Sequence, residues 1–388
     1  MNRAELRRFS PARFAPACLA ALVMALTLAP TKGSAQTPGE RTSTDPRFRY
    51  DVVAEGLDHP WGMAFLPDGS MLVTERPGRL RVIRGGALHP APVTGVPAVL
   101  DGSQGGLFEV HPHPAFARNG LLYLTYAHGT PDANGTRLAR ARFNGASLSG
   151  LEVLFTASPS KDTMAHYGGR MAFLGDGTLL LTLGDGFDFR EEAQNLNTDF
   201  GTIVRLNDDG TVPGDNPFVD QDDARDEIWS FGHRNPQGIV VDRQTGRVFA
   251  HEHGPRGGDE VNLVLKGRNY GWPIISYGVD YSGALITPFT ERAGLEQPLK
   301  VWVPSIAPAG MDLYRGQAFA EWSGDLLIAG LVPGDVRRLD LEGTQIGEEE
   351  ILFADIAERI RDVRVGPDGS IYLLTDSTEG QVIRVSPR

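Results

Sequence analysis

One unit recurs six times along the chain: an apolar segment alternating with polar residues, a turn rich in Gly, Asp or Asn, then a second apolar segment. The copies are GMAFLPDGSMLVTE from Gly62, LFEVHPHPAFARNGLLYLTYA from Leu107, GGRMAFLGDGTLLLTLGD from Gly168, GIVVDRQTGRVFAHEHG from Gly238, GMDLYRGQAFAEWSGDLLIAG from Gly310 and RDVRVGPDGSIYLLTD from Arg361. Turn chemistry and period-2 patterning make each a β-hairpin. A spacing of roughly 45 to 75 residues leaves room for two more strands per unit, which predicts the four-stranded blades of a propeller. Six copies predict an all-β, six-bladed β-propeller filling residues 47–388 as one domain. A β-sandwich, which shares short strands and frequent turns, is the alternative architecture. The 47 Gly and 27 Pro among 388 residues suit either. ADIAERIRDV is the best short helix candidate, and its Arg361 end already belongs to a strand.

Ahead of the repeats, Arg3, Arg7, Arg8 and Arg13 precede the apolar run ACLAALVMALTLAP and the small residues Gly33-Ser34-Ala35. This is the layout of a secretory signal peptide over residues 1–35, followed by a polar leader over 36–46. The apolar run falls short of the ~20 residues that span a bilayer, which argues against a membrane anchor. An exported, periplasmic or secreted protein is the expectation. The only cysteine, Cys18, lies in this segment, so no disulfide can staple the rest. Residues 1–35 hold five Lys/Arg against Glu5, so the formal charge of −12 becomes −16 without them. Such an acidic surface argues against nucleic acid and anionic membranes as partners.

Three segments carry unusual chemistry. In MAHYGGRM, His166 stands just before a strand whose hairpin partner ends in Leu183-Gly184-Asp185, so the two ends are neighbours. A histidine held by a carboxylate is what a general base near neutral pH needs. In IWSFGHRNPQG, Arg234 and Asn235 precede a strand. The next hairpin leads into HEHGPRGGDEVNLVLKGRNYGWP, where Gly254-Pro255 bare main-chain carbonyls beside Asp259 and Glu260, the oxygen donors that Ca²⁺ prefers. A rigid turn with solvated acids is the competing reading there. In ERIRDVRVGPDG, Arg359 and Arg361 are two apart and face one way if extended, forming a fork for a carboxylate or phosphate. A salt-bridged strand edge beside Glu358 and Asp362 is the competing reading. LNDDGTVPGDNPF lacks EF-hand spacing and is read as a turn.

Together these runs resemble the soluble quinoprotein glucose and aldose sugar dehydrogenases, from GLDHPWGMAFLPDG at Gly56 to Asp376. GHRNPQG, EHGPRGGDE with NYGWP, and RIRDVRVGPDG are the most specific blocks. The resemblance implies a six-bladed propeller using pyrroloquinoline quinone (PQQ) and Ca²⁺ to oxidise aldose sugars at C1 to lactones, with electrons passed to an external acceptor. It implies His166 as base, Asp185 as the carboxylate behind it, and Gln104 beside the substrate. Arg234, which would also stabilise charge during the reaction, and Asn235 would contact the quinone oxygens. His253, Ser305, Arg359 and Arg361 are placed with the cofactor contacts. Gly254 and Pro255 would hold the cofactor's Ca²⁺, and Glu260 with the Tyr270 carbonyl a second, structural one. Several positions depart from the family pattern: Val332 replaces a lysine, Ala165 an aspartate and Val303 a stacking tryptophan, with Trp302 one place earlier. A Ca²⁺-dependent propeller lactonase explains His166 and the calcium loop but gives the arginines no task. A non-catalytic exported binding propeller is favoured only by Val332.

Overall fold

The computed structural model describes residues 40–41 and 43–388; the expected signal peptide and most of the leader before Arg41 lie outside the described residues. Six antiparallel sheets, five of four strands and one of five, make up the molecule. Each predicted hairpin is the first pair of strands in one sheet: Pro60–Phe65 with Met71–Glu75, Leu107–Pro112 with Leu121–Thr130, Met171–Phe173 with Leu179–Thr182, Pro236–Val241 with Val248–Glu252, Pro308–Leu313 with Leu326–Gly330, and Ile360–Val365 with Ile371–Thr375. We number these blades 1 to 6. The first strands of successive blades touch around a closed ring, blade 6 returning to blade 1. The chain is therefore a six-bladed β-propeller.

Blades stack face to face, so their second strands are covered on both sides. MLVTE, LLLT, VFAHE and LLIAG are buried at every position and read as near-continuous apolar runs rather than strict alternations. Leu72, Leu124, Leu181, Ile328 and Leu373 are fully buried in these wedges, each contributing about 1.5–3 kcal/mol by burial alone. The outermost strand of blade 5, Gln345–Leu352, is half exposed; it carries an exposed Glu348, a charge that discourages edge-to-edge association, while Glu349 and Glu350 are ion-paired within the molecule.

Blade 6 closes the ring with both ends of the chain. Phe48–Leu57 pairs with Gly380–Pro387, which in turn pairs with Ile371–Thr375. The described part of the leader, Glu40–Arg41, adds a short fifth strand against Tyr50 and Asp51, and Arg41 pairs with Glu358 at 2.7 Å. On the channel axis, Arg170 of blade 3 is buried and reaches Glu109 of blade 2 at 2.8 Å and Asp362 of blade 6 at 3.4 Å; Arg364 reaches the same Glu109 at 3.1 Å. The candidate helix ADIAERIRDV is instead a 3₁₀ turn over Ala354–Ile356 followed by the strand from Ile360. LNDDG is a turn closed by the Asn207 carbonyl and the Asp209 carboxylate.

Candidate active site

The start of each blade's first strand faces one mouth of the channel. Trp61, Phe108, Tyr167, Asn235, Ala307, Arg359 and Arg361 come from all six blades and line one cleft there, of about 330 Å³, with Arg76, Gln104, Gln237, His253, Leu331, Val332 and Asp376. Phe187, Arg234, Pro255, Trp272 and Tyr281 wall an adjoining cavity of about 260 Å³.

His166 is almost wholly buried; its neighbour Tyr167 lines the first cavity and Phe187, whose ring lies 5.0 Å from the imidazole, lines the second. The His166 Nδ1 lies 2.6 Å from Asp185 Oδ1, as hairpin geometry predicted. The Trp272 indole donates to Asp185 Oδ2 at 2.8 Å, and the Phe187 amide donates to Oδ1, so the carboxylate cannot swing away. The approach of the two loops is close: a Cβ on Gly184 would lie 2.3 Å from the His166 carbonyl oxygen. His166 itself has φ 50°, a left-handed backbone unusual for a side-chain-bearing residue, and its N–H donates to Gln104 Oε1 at 2.8 Å. Burial pushes the His166 pKa below its usual value against the opposing pull of Asp185. Asp185 stays below the ordinary carboxylate range despite burial, because His166 and Arg234 favour its charge. A neutral imidazole oriented by an ionised carboxylate can accept a proton.

In the cleft, Arg359 and Arg361 converge on one oxygen, Asp376 Oδ2, at 3.2 and 2.9 Å. The arginines do face one way and are salt-bridged, but to Asp376 and not to the Glu358 or Asp362 expected from the sequence. One carboxylate does not balance three guanidiniums, and the buried Nε donors of Arg76 and Arg361 have no hydrogen-bond partner among the described residues. Trp61, Phe108 and Tyr167 supply flat walls, with ring centroids 5.3 and 5.5 Å apart in sequence. These groups fit a planar polyanion such as a tricarboxylated quinone.

Asn235 Oδ1 accepts from the Gly168 N–H, which places this amide against the His166 loop. His253 holds the Pro308 carbonyl at 2.7 Å. Arg234 donates to the Gly254 carbonyl at 2.7 Å, so that carbonyl already points at a positive charge. Asp259 braces the Gly254-Pro255 loop, accepting from the N–H groups of Gly254, Ile306 and Ala307. Glu260 and Glu252 both approach Asn262 Nδ2 at 3.4 Å, and burial, then Glu252, drives the Glu260 carboxyl well above its usual pKa. The Tyr270 ring stacks on His233, leaving its main chain beside the cavity shared by Gly254, Pro255 and Glu260. These oxygens fit a hard cation, although among the described residues no three His, Cys, Asp or Glu side chains form a metal cluster.

The Ser305 hydroxyl donates to Asp259 Oδ2, and its neighbour Ala307 lines the cleft. Trp302 is buried and donates to Glu349, so it does not replace the missing stacking ring, and Val303 is exposed at 67%. Val332 lies at the cleft wall. Sequence reasoning missed Trp61, Arg76, Phe108 and Tyr167; all but Arg76 stand at or just before a blade's first strand, the register that had exposed His166.

A propeller whose channel mouth joins a carboxylate-held histidine to an arginine-lined cleft defines a class, the propeller oxidoreductases. Residues 57–384 match the Glucose / Sorbosone dehydrogenase family model, and the chain belongs to that family. It is 41% identical to aldose sugar dehydrogenase YliI of Escherichia coli, over 87% of this chain and 92% of that one. Among solved structures, a glucose dehydrogenase shares 43% identity with a TM-score of 0.84, covering 86% of this chain and 98% of its own. The PQQ-bound aldose sugar dehydrogenase of Streptomyces coelicolor shares 25% identity with a TM-score of 0.72, covering 89% and 100%.

Proposed function

We propose that this protein is a PQQ- and Ca²⁺-dependent aldose dehydrogenase that oxidises the anomeric carbon of a sugar to a lactone and passes electrons to an external acceptor. The observation that carries the reading is the pairing of the His166–Asp185 dyad with a cleft of unbalanced arginines. When bound, the quinone supplies a two-electron acceptor and Ca²⁺ a Lewis acid. Arg359 and Arg361 would hold cofactor carboxylates, with Trp61 and Tyr167 against its plane. Gly254 and Pro255 would offer carbonyls to the cofactor's metal, and Glu260 with the Tyr270 carbonyl to a second ion. Gln104 and Asn235 fix the loop that carries His166. The Nε2 of His166 then takes the proton of the anomeric hydroxyl, Asp185 stabilises the resulting imidazolium, and Arg234 stabilises negative charge at the reacting oxygen.

The same reading places the protein outside the cytoplasm after removal of residues 1–35, and no described helix is long and apolar enough to cross a membrane. Reconstitution with PQQ and Ca²⁺ followed by dye reduction with a panel of aldoses tests it. Absence of both dye reduction and a cofactor spectrum overturns it, and lactone hydrolysis without PQQ replaces it with a hydrolase.

A further inference from the structure

Lys161 is one of the few fully enclosed ammonium groups a protein tolerates, 4% exposed. Its Nζ donates to the carbonyls of Thr163 and Ala165, each at 2.6 Å, and lies 3.6 Å from the centre of the Tyr167 ring. The carbonyl between them, on Met164, accepts from the Gln104 amide. All three carbonyls leading into His166 are therefore held by fixed donors, none of them in a blade ladder. The Lys161 backbone is itself sewn to Asn134 by two hydrogen bonds of 2.8 Å, and Asn134 Oδ1 accepts from the Tyr167 hydroxyl. On the other side, a Cβ on Gly186 would fall 2.9 Å from Lys161 Cδ, and Thr163 Oγ1 donates to the Gly186 carbonyl. The lysine thus stands between the loop carrying His166 and the loop carrying Asp185.

We propose that Lys161 is a positioning residue for the proposed base, its ammonium pinning the 163–165 segment that leads into the left-handed His166 so that the imidazole meets Asp185. The charged groups around it are Asp185, Asp162, Asp199 across a small shared cavity, and His166, with Arg234 bearing on the dyad from the far side. Burial lowers the Lys161 pKa to about 7, so it is charged over the acidic range where His166 titrates. A positive charge there opposes protonation of His166. This deepens the sugar-oxidising reading, on which only the turnover arm of the test rests.

The test is Lys161→Met and Lys161→Arg in the full chain, with His166 followed by NMR of ¹³C-labelled histidine without cofactor, assigned by its loss in His166→Ala. In Lys161→Met the loosened loop weakens the His166–Asp185 contact, so the His166 titration moves away from that of the wild type, and kcat falls by about tenfold or more while KM stays within about threefold. Lys161→Arg keeps the charge, so the His166 titration returns to that of the wild type. An unchanged His166 titration in folded Lys161→Met overturns the proposal. Should Lys161→Met not fold, Lys161→Arg decides: wild-type titration supports the proposal, and a shifted one overturns it. A wild type that oxidises no sugar sinks the dehydrogenase reading, while the histidine titration still decides the role of Lys161.

Discussion

His166 Nδ1 lies 2.6 Å from Asp185 Oδ1, and this contact links residues at opposite ends of one hairpin of blade 3. It settles the tautomer: with Nδ1–H donated to the carboxylate, Nε2 carries the free lone pair. His166→Ala should abolish turnover, by about 10²-fold or more, and leave PQQ binding nearly intact. Loss of the cofactor spectrum instead would recast His166 as a cofactor ligand.

Asp185→Asn keeps the shape but removes the charge that favours imidazolium. A fall in kcat of at least about tenfold is expected, with KM little changed. Trp272→Phe, which removes only the donor to Asp185 Oδ2, should lose less. Steady-state kinetics on both variants ranks them, and equal losses would contradict the distinction.

The pH profile follows from the lowered His166 pKa. The base is active when neutral, so kcat/KM should hold as pH falls through 6.5 and decline only below it. An acid limb centred above about pH 6.5, the value for free histidine, would refute the assignment.

Arg361 is largely covered against Asp376 whereas Arg359 is half exposed. Arg361→Ala should therefore weaken PQQ binding more than Arg359→Ala, read by cofactor titration. Val332→Lys adds a cation at the cleft wall and should tighten binding several-fold. Unchanged affinity in all three would place the cofactor elsewhere.

If the Gly254-Pro255 loop holds Ca²⁺ as proposed, chelation should lower Tm, because burial and the neighbouring Glu252 and Asp259 disfavour the charged Glu260 carboxylate and a cation offsets that repulsion. Glu260→Gln should reduce this dependence. Independently of any ligand, Arg170→Met strips the buried Glu109 and Asp362 of a partner and should cost about 3–5 kcal/mol in denaturant unfolding.

The blades were legible because a hairpin announces itself locally, through its turn residues and alternation. His166 and Asp185 were legible for the same reason, being brought together by one hairpin. The second partner of Asp185 was not: Trp272 arrives from the excursion after the third strand of blade 4, so only the assembled ring reveals it, whereas Asp376 stands across one hairpin from Arg361 and was open to the same reasoning but overlooked. The bond from the Ser305 hydroxyl to Asp259 was not legible either, since family position cannot say which way a hydroxyl turns. Lys161 gave no signal, since nothing in KDTMAHYGG distinguishes a buried ammonium from a surface one.

The strand Phe48–Leu57 reaches its place only by lying against Gly380–Pro387. During synthesis, this strand must therefore wait, unpaired along that edge, until Gly380–Pro387 is made. Blade 6 also carries Arg359 and Arg361, so the anion-holding wall of the cleft is finished in the same closing event. Ring closure and competence to take up a charged ligand are one step in time, and a chain cut short before Gly380 should acquire neither.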